Sequence, residues 1–226
     1  MKFLIVALCS AVLFGCKGGS KSVSLESQSD KVSYGIGLGL GKSLKRDSLT
    51  INTDALVRGI NDGMGDSAKQ LLSDEQVNEI MSSFNRDLMA KRMHAVAEKN
   101  LEEGEKFLAE NKSKPGVVTL PSGLQYQVIV EGHGKTPGLR QTVIANYRGT
   151  LIDGEEFDGS EKHGGPAMFP VSGVIPGWTQ ALQLMKVGSK WKIFVPPDLA
   201  YGQHGAGNAI GPNATLIFDI ELVGIK

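Results

Sequence analysis

The side chains that most often perform covalent or metal chemistry are few in this sequence and stand far apart. The histidines are His94, His133, His163 and His204. No His-Glu-x-x-His pair joins them, and both cysteines, Cys9 and Cys16, lie near the start of the chain. Ser160 and Ser172 lack the Gly-x-Ser-x-Gly setting of a nucleophile. The carboxylates at positions 155, 156 and 158 follow an Asp-Gly turn, where a solvated hairpin is the first expectation. Neither covalent nor metal catalysis is indicated.

A second set of residues, apolar and aromatic with two or three polar groups among them, lies on loops and strand ends in the second half of the chain. The set is Tyr147, Phe157, Asp158, Phe169, Val174, Ile175, Trp178, Tyr201, Ile210 and Phe218. Trp178, taken without context, could be an ordinary core residue, and so could the phenylalanines. Asp158 and Tyr201 are harder to explain as packing residues. The composition predicts an apolar pocket with a few placed polar groups.

Five ordered motifs carry eight of these residues, all but Phe169 and Ile210. They are YRGTLIDG at 147–154, FDGS at 157–160, VIPGW at 174–178, LAYG at 199–202 and GPNATLIF at 211–218. In order and spacing, residues 116–226 resemble the FKBP-type peptidyl-prolyl cis/trans isomerases. The preceding helical region, which begins Ser33-Tyr34-Gly35-Ile36-Gly37, is similar to that of the dimeric Mip/FkpA subgroup of bacterial lipoproteins. The resemblance covers nearly the whole mature chain.

An apolar pocket suits a reaction that needs no acid, base or nucleophile. An X-Pro bond isomerises slowly because twisting the amide removes its resonance, at a barrier of about 18–20 kcal/mol. Water stabilises the polar planar amide more than the twisted one. A dry aromatic basin therefore lowers the barrier, and a few placed hydrogen bonds can favour the twisted form further.

The resemblance implies a role for each residue of the set. The proline ring would lie on Trp178 as its floor. The substrate-binding walls would be Tyr147, Phe157, Phe169, Val174, Ile175, Ile210 and Phe218. The backbone N–H of Ile175 would hold one substrate carbonyl and the Tyr201 hydroxyl another. Asp158 would face the carbonyl carbon of the twisting amide or orient neighbouring donors. The resemblance implies no cofactor and no metal.

The sequence departs from the family pattern near the pocket. Ala167 stands where some members carry an aromatic residue, and Ala206 and Ala209 thin the flap of the pocket. The resemblance implies macrolide inhibitors as ligands, and a thinner flap weakens their expected affinity more than it weakens catalysis. His163 replaces a basic or small polar residue near Asp158. The orientation of that carboxylate is therefore open.

The elements that must position the pocket follow from the apolar pattern, which has a period of two after about residue 116. The expected strands are 124–130, 143–151, 167–171, 190–195 and 214–223, with one short helix from about 177 to 185. Parallel βαβ units would require more helices. We therefore expect an α+β fold: an N-terminal α-helical dimerisation domain and a long connecting helix, then an FKBP-like antiparallel sheet wrapped around one short helix.

Residues 30–72 have the pattern of short amphipathic helices. Val32, Ile36 and Leu40 recur every four residues, and Asn52 or Thr53 can cap a second helix. Glycines at positions 35, 37, 39 and 41 invite a phosphate-binding interpretation, but their register does not fit a P-loop and no strand pattern precedes them. We interpret these glycines as positions of close helix packing.

A long connecting helix should follow. Ser73 and Gln76 form a capping box, and a helix from there to about Lys112 would be roughly 60 Å long. Its first half carries a stripe rich in Met and Phe, which predicts a homodimer, with an intramolecular helical hairpin as the alternative. Its second half is polar on most faces and predicts a bridge through solvent. Gly104 in that half is either a hinge or a flaw in the helix.

The first residues are typical of a secretory signal, because a basic start is followed by a short apolar run. The run ends in Leu13-Phe14-Gly15-Cys16, which resembles the bacterial lipobox in which Cys16 becomes the acylated first residue. A plain signal peptide or a membrane anchor is the alternative. The expected organisation is a signal peptide at 1–15, lipidated Cys and tether at 16–29, helical dimerisation domain at 30–72, connecting helix at 73–115 and isomerase domain at 116–226.

The balance of acidic and basic residues bears on which partners the protein can bind. The chain has 24 basic and 24 acidic residues, so it carries no broad field that would attract nucleic acid. We expect a homodimeric isomerase that helps fold proline-containing unfolded or nascent exported proteins. It would be held at the cell envelope by its lipid anchor alone, at the outer membrane facing the periplasm. A holdase chaperone or client-binding module with little turnover, and a structural or adhesive lipoprotein, are the alternatives.

Overall fold

The computed structural model describes residues 23–65 and 70–226. The chain divides into two compact units, one ending at Ser73 and the other running from Asp74 to Lys226. The expected signal peptide, Cys16 and the first part of the expected tether lie outside the described residues. In the part of the chain that is described, no helix has both the length and the apolar character needed to cross a membrane.

Two helices make up the described part of the first unit. Helix α1 spans Gln28–Arg46 and begins earlier than expected because Ser27 and Asp30 form a capping box. Helix α2 spans Thr53–Met64, and the Asn52 side chain caps it by accepting hydrogen bonds from two backbone N–H groups, as predicted. Neither helix contains a buried residue. The apolar faces of α1 and α2 are thus exposed in a single chain.

Helix α3 opens the second unit and spans Asp74–Asn111, close to the predicted bounds. The expectation that its second half bridges solvent holds only in part, because most residues of that half are exposed but one face packs against the rest of the unit. Gly104 is buried against Thr215, and the Phe107 ring lies 5.9 Å from that of Phe194. The Asn100 amide also donates to the backbone oxygen of Pro212 at 2.8 Å. Glycine and asparagine make much of this contact, so hydropathy gave little signal of it.

The remainder of the second unit is an antiparallel sheet over one short helix. Its strands are β1 (Val117–Thr119), β2 (Gln125–Val130), β3 (Thr142–Leu151), β4 (Glu156–Gly159), β5 (Ala167–Pro170), β6 (Lys190–Val195) and β7 (Leu216–Ile225). The strand order is β1-β2-β6-β7-β3-β4, with β5 paired to β3. Helix α4 covers Pro176–Leu182. The predicted α+β fold is confirmed, and the two short strands β1 and β4 are the ones that the apolar pattern did not predict.

The core lies between one face of this sheet and α4. Strands β3, β6 and β7 direct alternate side chains inward, and α4 supplies Trp178, Ala181 and Leu182. Residues of the sheet with no exposed surface include Val143, Ile193, Leu216 and Leu222. This packing fixes α4 against the sheet, and the start of α4 is where the predicted pocket residues converge.

Candidate active site

A cavity of about 430 Å³ opens beside the start of α4. It is lined by Tyr147, Phe157, Asp158, Phe169, Gly173, Val174, Ile175, Trp178, Tyr201 and Phe218. Strands β3, β4, β5 and β7 supply five of these residues, and the segment that enters α4 supplies most of the others. Nine of the ten residues singled out in the sequence thus surround one space.

Ile210 is the predicted residue that does not line this cavity. Its side chain is buried with the core cluster. Its backbone forms a two-way bridge with Ala206, with N–H to O distances of 2.8 and 3.1 Å. Gly173, which the sequence analysis passed over, lines the cavity instead. A glycine has no side chain to signal such a position.

Trp178 forms the centre of an aromatic cluster. Its ring centroid lies 5.5 Å from that of Tyr147, 5.4 Å from Phe169 and 5.4 Å from Phe218. The interplanar angles of 72–87° are edge-to-face, the arrangement that the charge distribution of aromatic rings favours. The side chain is only 4% exposed. Trp178 therefore serves the core and the cavity floor together.

The opposite wall of the cavity is formed by two aromatic rings that lie close to the backbone of Gly149 on β3. Phe157 and Phe218 meet edge to face with centroids 5.5 Å apart. A Cβ at Gly149 would lie 2.6 Å from the Phe157 ring and 2.9 Å from the Phe218 ring, which is too close for any side chain. Glycine at this position lets both rings pack over the strand.

Asp158 is the single carboxylate of the cavity, and three groups hold it. The Tyr147 hydroxyl donates to Asp158 Oδ2 at 2.7 Å, and the backbone N–H of Gly159 donates to Oδ1 at 2.8 Å. His163 Nε2 lies 2.9 Å from the same Oδ1. Partial burial raises the pKa of Asp158, but these hydrogen bonds together lower it more, so the pKa lies below its ordinary value. Asp158 is ionised at neutral pH.

Tyr147 is the side-chain hydroxyl that donates a hydrogen bond to Asp158. Burial, followed by the hydrogen bond to the Asp158 carboxylate, raises the pKa of Tyr147 above its ordinary value. The hydroxyl therefore stays protonated and acts as a donor at physiological pH.

The solvated hairpin expected around residues 153–158 is only partly found. Asp153 and Gly154 form the turn, but Asp158 lies on β4 and faces the cavity.

Besides the buried indole N–H of Trp178, two donors at the cavity have no acceptor in the described protein. The backbone N–H of Ile175 and the hydroxyl of Tyr201 make no hydrogen bond with any residue in 23–65 or 70–226. Tyr201 is 40% exposed and stands at the cavity rim. The cavity thus combines an aromatic floor, a fixed carboxylate and two donors that a bound peptide carbonyl could satisfy.

Comparison with known proteins agrees with this arrangement. A model of the FKBP-type peptidyl-prolyl cis-trans isomerase family matches residues 134–223, and a model of the domain amino terminal to such isomerases matches residues 29–128. "Outer membrane protein MIP" of Legionella longbeachae is 49% identical over 229 residues, spanning 100% of this chain and 98% of that protein. The isomerase FkpA of Escherichia coli is 35% identical over 239 residues, spanning 99% of this chain and 87% of that protein.

Among solved structures, the crystal structure of FkpA from Escherichia coli matches with a TM-score of 0.70 at 36% identity, covering 90% of this chain and 99% of that chain. The sheet wraps around one short helix, and an aromatic cavity opens at the start of that helix. These features together define the fold of an FKBP-type isomerase. The chain belongs to the FKBP-type peptidyl-prolyl cis-trans isomerase family. It is an enzyme that interconverts the cis and trans forms of X-Pro bonds and so assists protein folding.

Proposed function

We propose that this isomerase acts on proline-containing unfolded or newly exported proteins, and that catalysis takes place in the cavity above Trp178. The observation that carries this proposal is the composition of the cavity. One ionised carboxylate and unsatisfied donors that include the Ile175 N–H and the Tyr201 hydroxyl border a space that is otherwise aromatic and aliphatic. This is the arrangement that twisting a neutral amide requires.

The aromatic floor and walls supply the first part of catalysis. A proline ring on Trp178, between Tyr147 and Phe218, would leave water, and the X-Pro amide beside it would lose solvent as well. Because water stabilises the planar amide more than the twisted one, this transfer lowers a barrier of about 18–20 kcal/mol. Phe157, Phe169 and Val174 would complete the substrate-binding walls.

The polar groups supply the second part. The Ile175 N–H and the Tyr201 hydroxyl would each donate to a substrate carbonyl and so fix the peptide on both sides of the rotating bond. The Asp158 carboxylate, held by Tyr147, would face the carbonyl carbon of the twisting amide. These interactions accelerate the reaction only where they are stronger in the twisted state than in the planar one. Ile210 would act at the flap through its backbone rather than as a wall.

We place the enzyme at the cell envelope, anchored by lipid on Cys16. The lipobox-like end of the leader supports this placement, and one relative carries the name "Outer membrane protein MIP". Residues 1–15 would be removed and residues 16–29 would tether the mature chain to the outer membrane, facing the periplasm. A labelled fatty acid should be incorporated into the wild type and not into Cys16→Ser. A wild type that incorporates no label, or a variant labelled as strongly as the wild type, would contradict the lipid anchor.

We also propose that residues 30–72 form a homodimerisation domain. Helices α1 and α2 bury none of their residues within one chain, and a Cβ at Gly35, Gly37, Gly39 or Gly41 would meet nothing within 4 Å. Among the described residues of a single chain, nothing supplies the close helix packing expected at these glycines. A second copy would cover the exposed apolar face and supply that packing.

The experiment separates an isomerase from a holdase. A client whose refolding is limited by proline isomerisation should refold faster with the wild-type chain and lose most of that acceleration with Asp158→Ala. A second client without proline reports protection from aggregation alone. Equal effects of wild type and Asp158→Ala on the first client, with strong protection of the second, would favour the holdase and overturn the assignment of the site.

A further inference from the structure

The histidine at the end of the turn after β4 contacts the cavity carboxylate directly. His163 closes a 3₁₀ turn spanning Ser160–His163, and its Nε2 lies 2.9 Å from Asp158 Oδ1. Its side chain is 60% exposed and that of Asp158 is 41% exposed, so both can exchange protons with solvent. His163 does not itself line the cavity.

The chemistry of the two groups fixes which atom carries the proton between them. An ionised carboxylate can only accept hydrogen bonds, so Nε2 of His163 must be the donor. Uptake of a proton at Nδ1 leaves this hydrogen bond in place and adds a positive charge to the donor. The ionised carboxylate already makes this hydrogen bond charge-assisted, and a positive imidazole adds the attraction between two opposite charges. The hold on Asp158 therefore depends on the charge of the imidazole.

The basic groups next to the turn are paired with a different carboxylate. On β3 and β4, Arg148 Nε lies 2.6 Å from Glu156 Oε2. Lys162, in the same turn as His163, lies 3.1 Å from the other oxygen of Glu156. Tyr147 on β3 carries no charge because its hydroxyl stays protonated. Glu161, the remaining acidic residue of the turn, makes none of the ion pairs found among the described residues.

We propose that His163 is a positioning residue that orients Asp158 for catalysis, and that its protonation makes the isomerase more active on the acid side of neutrality. This inference rests on the proposed role of Asp158 in the reaction. Imidazoles in proteins change charge between about pH 5 and 8, a range that leaves the Asp158 carboxylate ionised. The carboxylate is held more firmly below that transition than above it.

The test is the pH profile of kcat/KM for an X-Pro reporter peptide, measured on the full mature chain between about pH 5.5 and 8.5. The wild type should gain about two- to fivefold in kcat/KM as the pH falls, the scale expected when a hydrogen bond to a partly exposed carboxylate becomes an ion pair. His163→Gln keeps a neutral donor and should give a flat profile at the alkaline level. His163→Arg keeps a permanent charge and should give a flat profile at the acid level.

Control variants show whether the pH dependence comes from His163. His133→Gln makes the same substitution at an exposed histidine outside the cavity and should keep the wild-type profile. A wild-type profile without the acid-side rise, or a rise that persists in His163→Gln, overturns the inference. Asp158→Ala separates this failure from that of the proposed function. If Asp158→Ala is inactive while His163→Gln behaves as wild type, only the role of His163 falls; if Asp158→Ala is fully active, the role of Asp158 falls first.

Discussion

At the scale of single residues, the site depends on how a carboxylate is kept ionised and fixed inside an apolar cavity. Asp158 would be costly to place there without donors, because burial disfavours the charged form. Tyr147, His163 and the Gly159 N–H provide three. The donors also restrict the rotation of the carboxylate. The same contacts thus stabilise the charge and aim it at the space above Trp178.

Removal of the Tyr201 hydroxyl tests one of the two free donors. Tyr201→Phe should lower kcat/KM for a reporter peptide by on the order of tenfold, because one hydrogen bond to the twisted amide is lost while the ring remains. Circular dichroism should show an unchanged fold. Tyr34→Phe on α1 is the matched control and should leave the rate at the wild-type value. Equal rates for all three proteins would remove Tyr201 from the mechanism.

The lowered pKa of Asp158 predicts a pH dependence of stability. A carboxylate whose pKa is lower in the folded state contributes stability above the pKa of the unfolded chain, about 4, and loses it as the pH falls through the folded value. Urea unfolding at pH 7 should therefore show wild type more stable than Asp158→Asn. The difference should shrink steadily below about pH 4. A difference that is constant from pH 7 to pH 2.5 would contradict the proposed hold on the carboxylate.

At the scale of elements, the sequence was most informative where side chains alternate or recur. The period of two located β2, β3, β6 and β7 to within two residues at each end, and Asn52 capped α2 as expected. Strands β1 and β4 were missed because three or four residues are too few to show a period. Eight residues of the pocket motifs line one cavity, together with Phe169. Ile210 does not line it, because its side chain packs in the core.

The docking of α3 was not predictable from hydropathy, since small and polar residues make much of the contact. Gly104 lies against Thr215, and the Asn111 amide donates to Gln125 Oε1 at 2.9 Å. Gln125 in turn donates to the backbone oxygen of Leu108 at 2.9 Å. These contacts identify Gly104 as a packing position, where the sequence had suggested a hinge or a flaw in the helix.

A double-mutant cycle tests this contact. Gly104→Ala places a methyl group against the buried Thr215 hydroxyl, which has no hydrogen-bond partner among the described residues. Despite the better helix propensity of alanine, we expect a net loss of about 1 kcal/mol in the free energy of unfolding. In a Thr215→Ala background the same change should be neutral or stabilising. Equal effects in both backgrounds would show that α3 does not pack here.

At the scale of the whole molecule, the chain joins a compact catalytic unit to helices that cannot bury their apolar faces alone. The sheet and α4 form a complete core, whereas α1 and α2 have none. An element that is stable only when covered favours association with a second copy. Dimerisation would place two cavities on one assembly, so that one unfolded client could engage both.

The oligomeric state can be tested on the face of α1 that carries Val32, Ile36 and Leu40. Ile36 is 68% exposed within one chain, and a carboxylate there would be buried in a dimer. Light scattering on residues 23–226 should give twice the monomer mass for wild type and the monomer mass for Ile36→Asp. Lys42→Glu, a charge change elsewhere on the helix, should remain dimeric. A monomeric wild type would contradict the dimerisation domain.

The central claim is that the aromatic cavity around Asp158 is where the X-Pro bond twists. The most direct measurement is the cis-to-trans rate of a short X-Pro reporter peptide with purified residues 23–226, in the wild type and in Asp158→Ala. We predict a large acceleration by the wild type that falls at least about tenfold in the variant, with both proteins folded. Full acceleration by Asp158→Ala, or none by the folded wild type, would contradict the account.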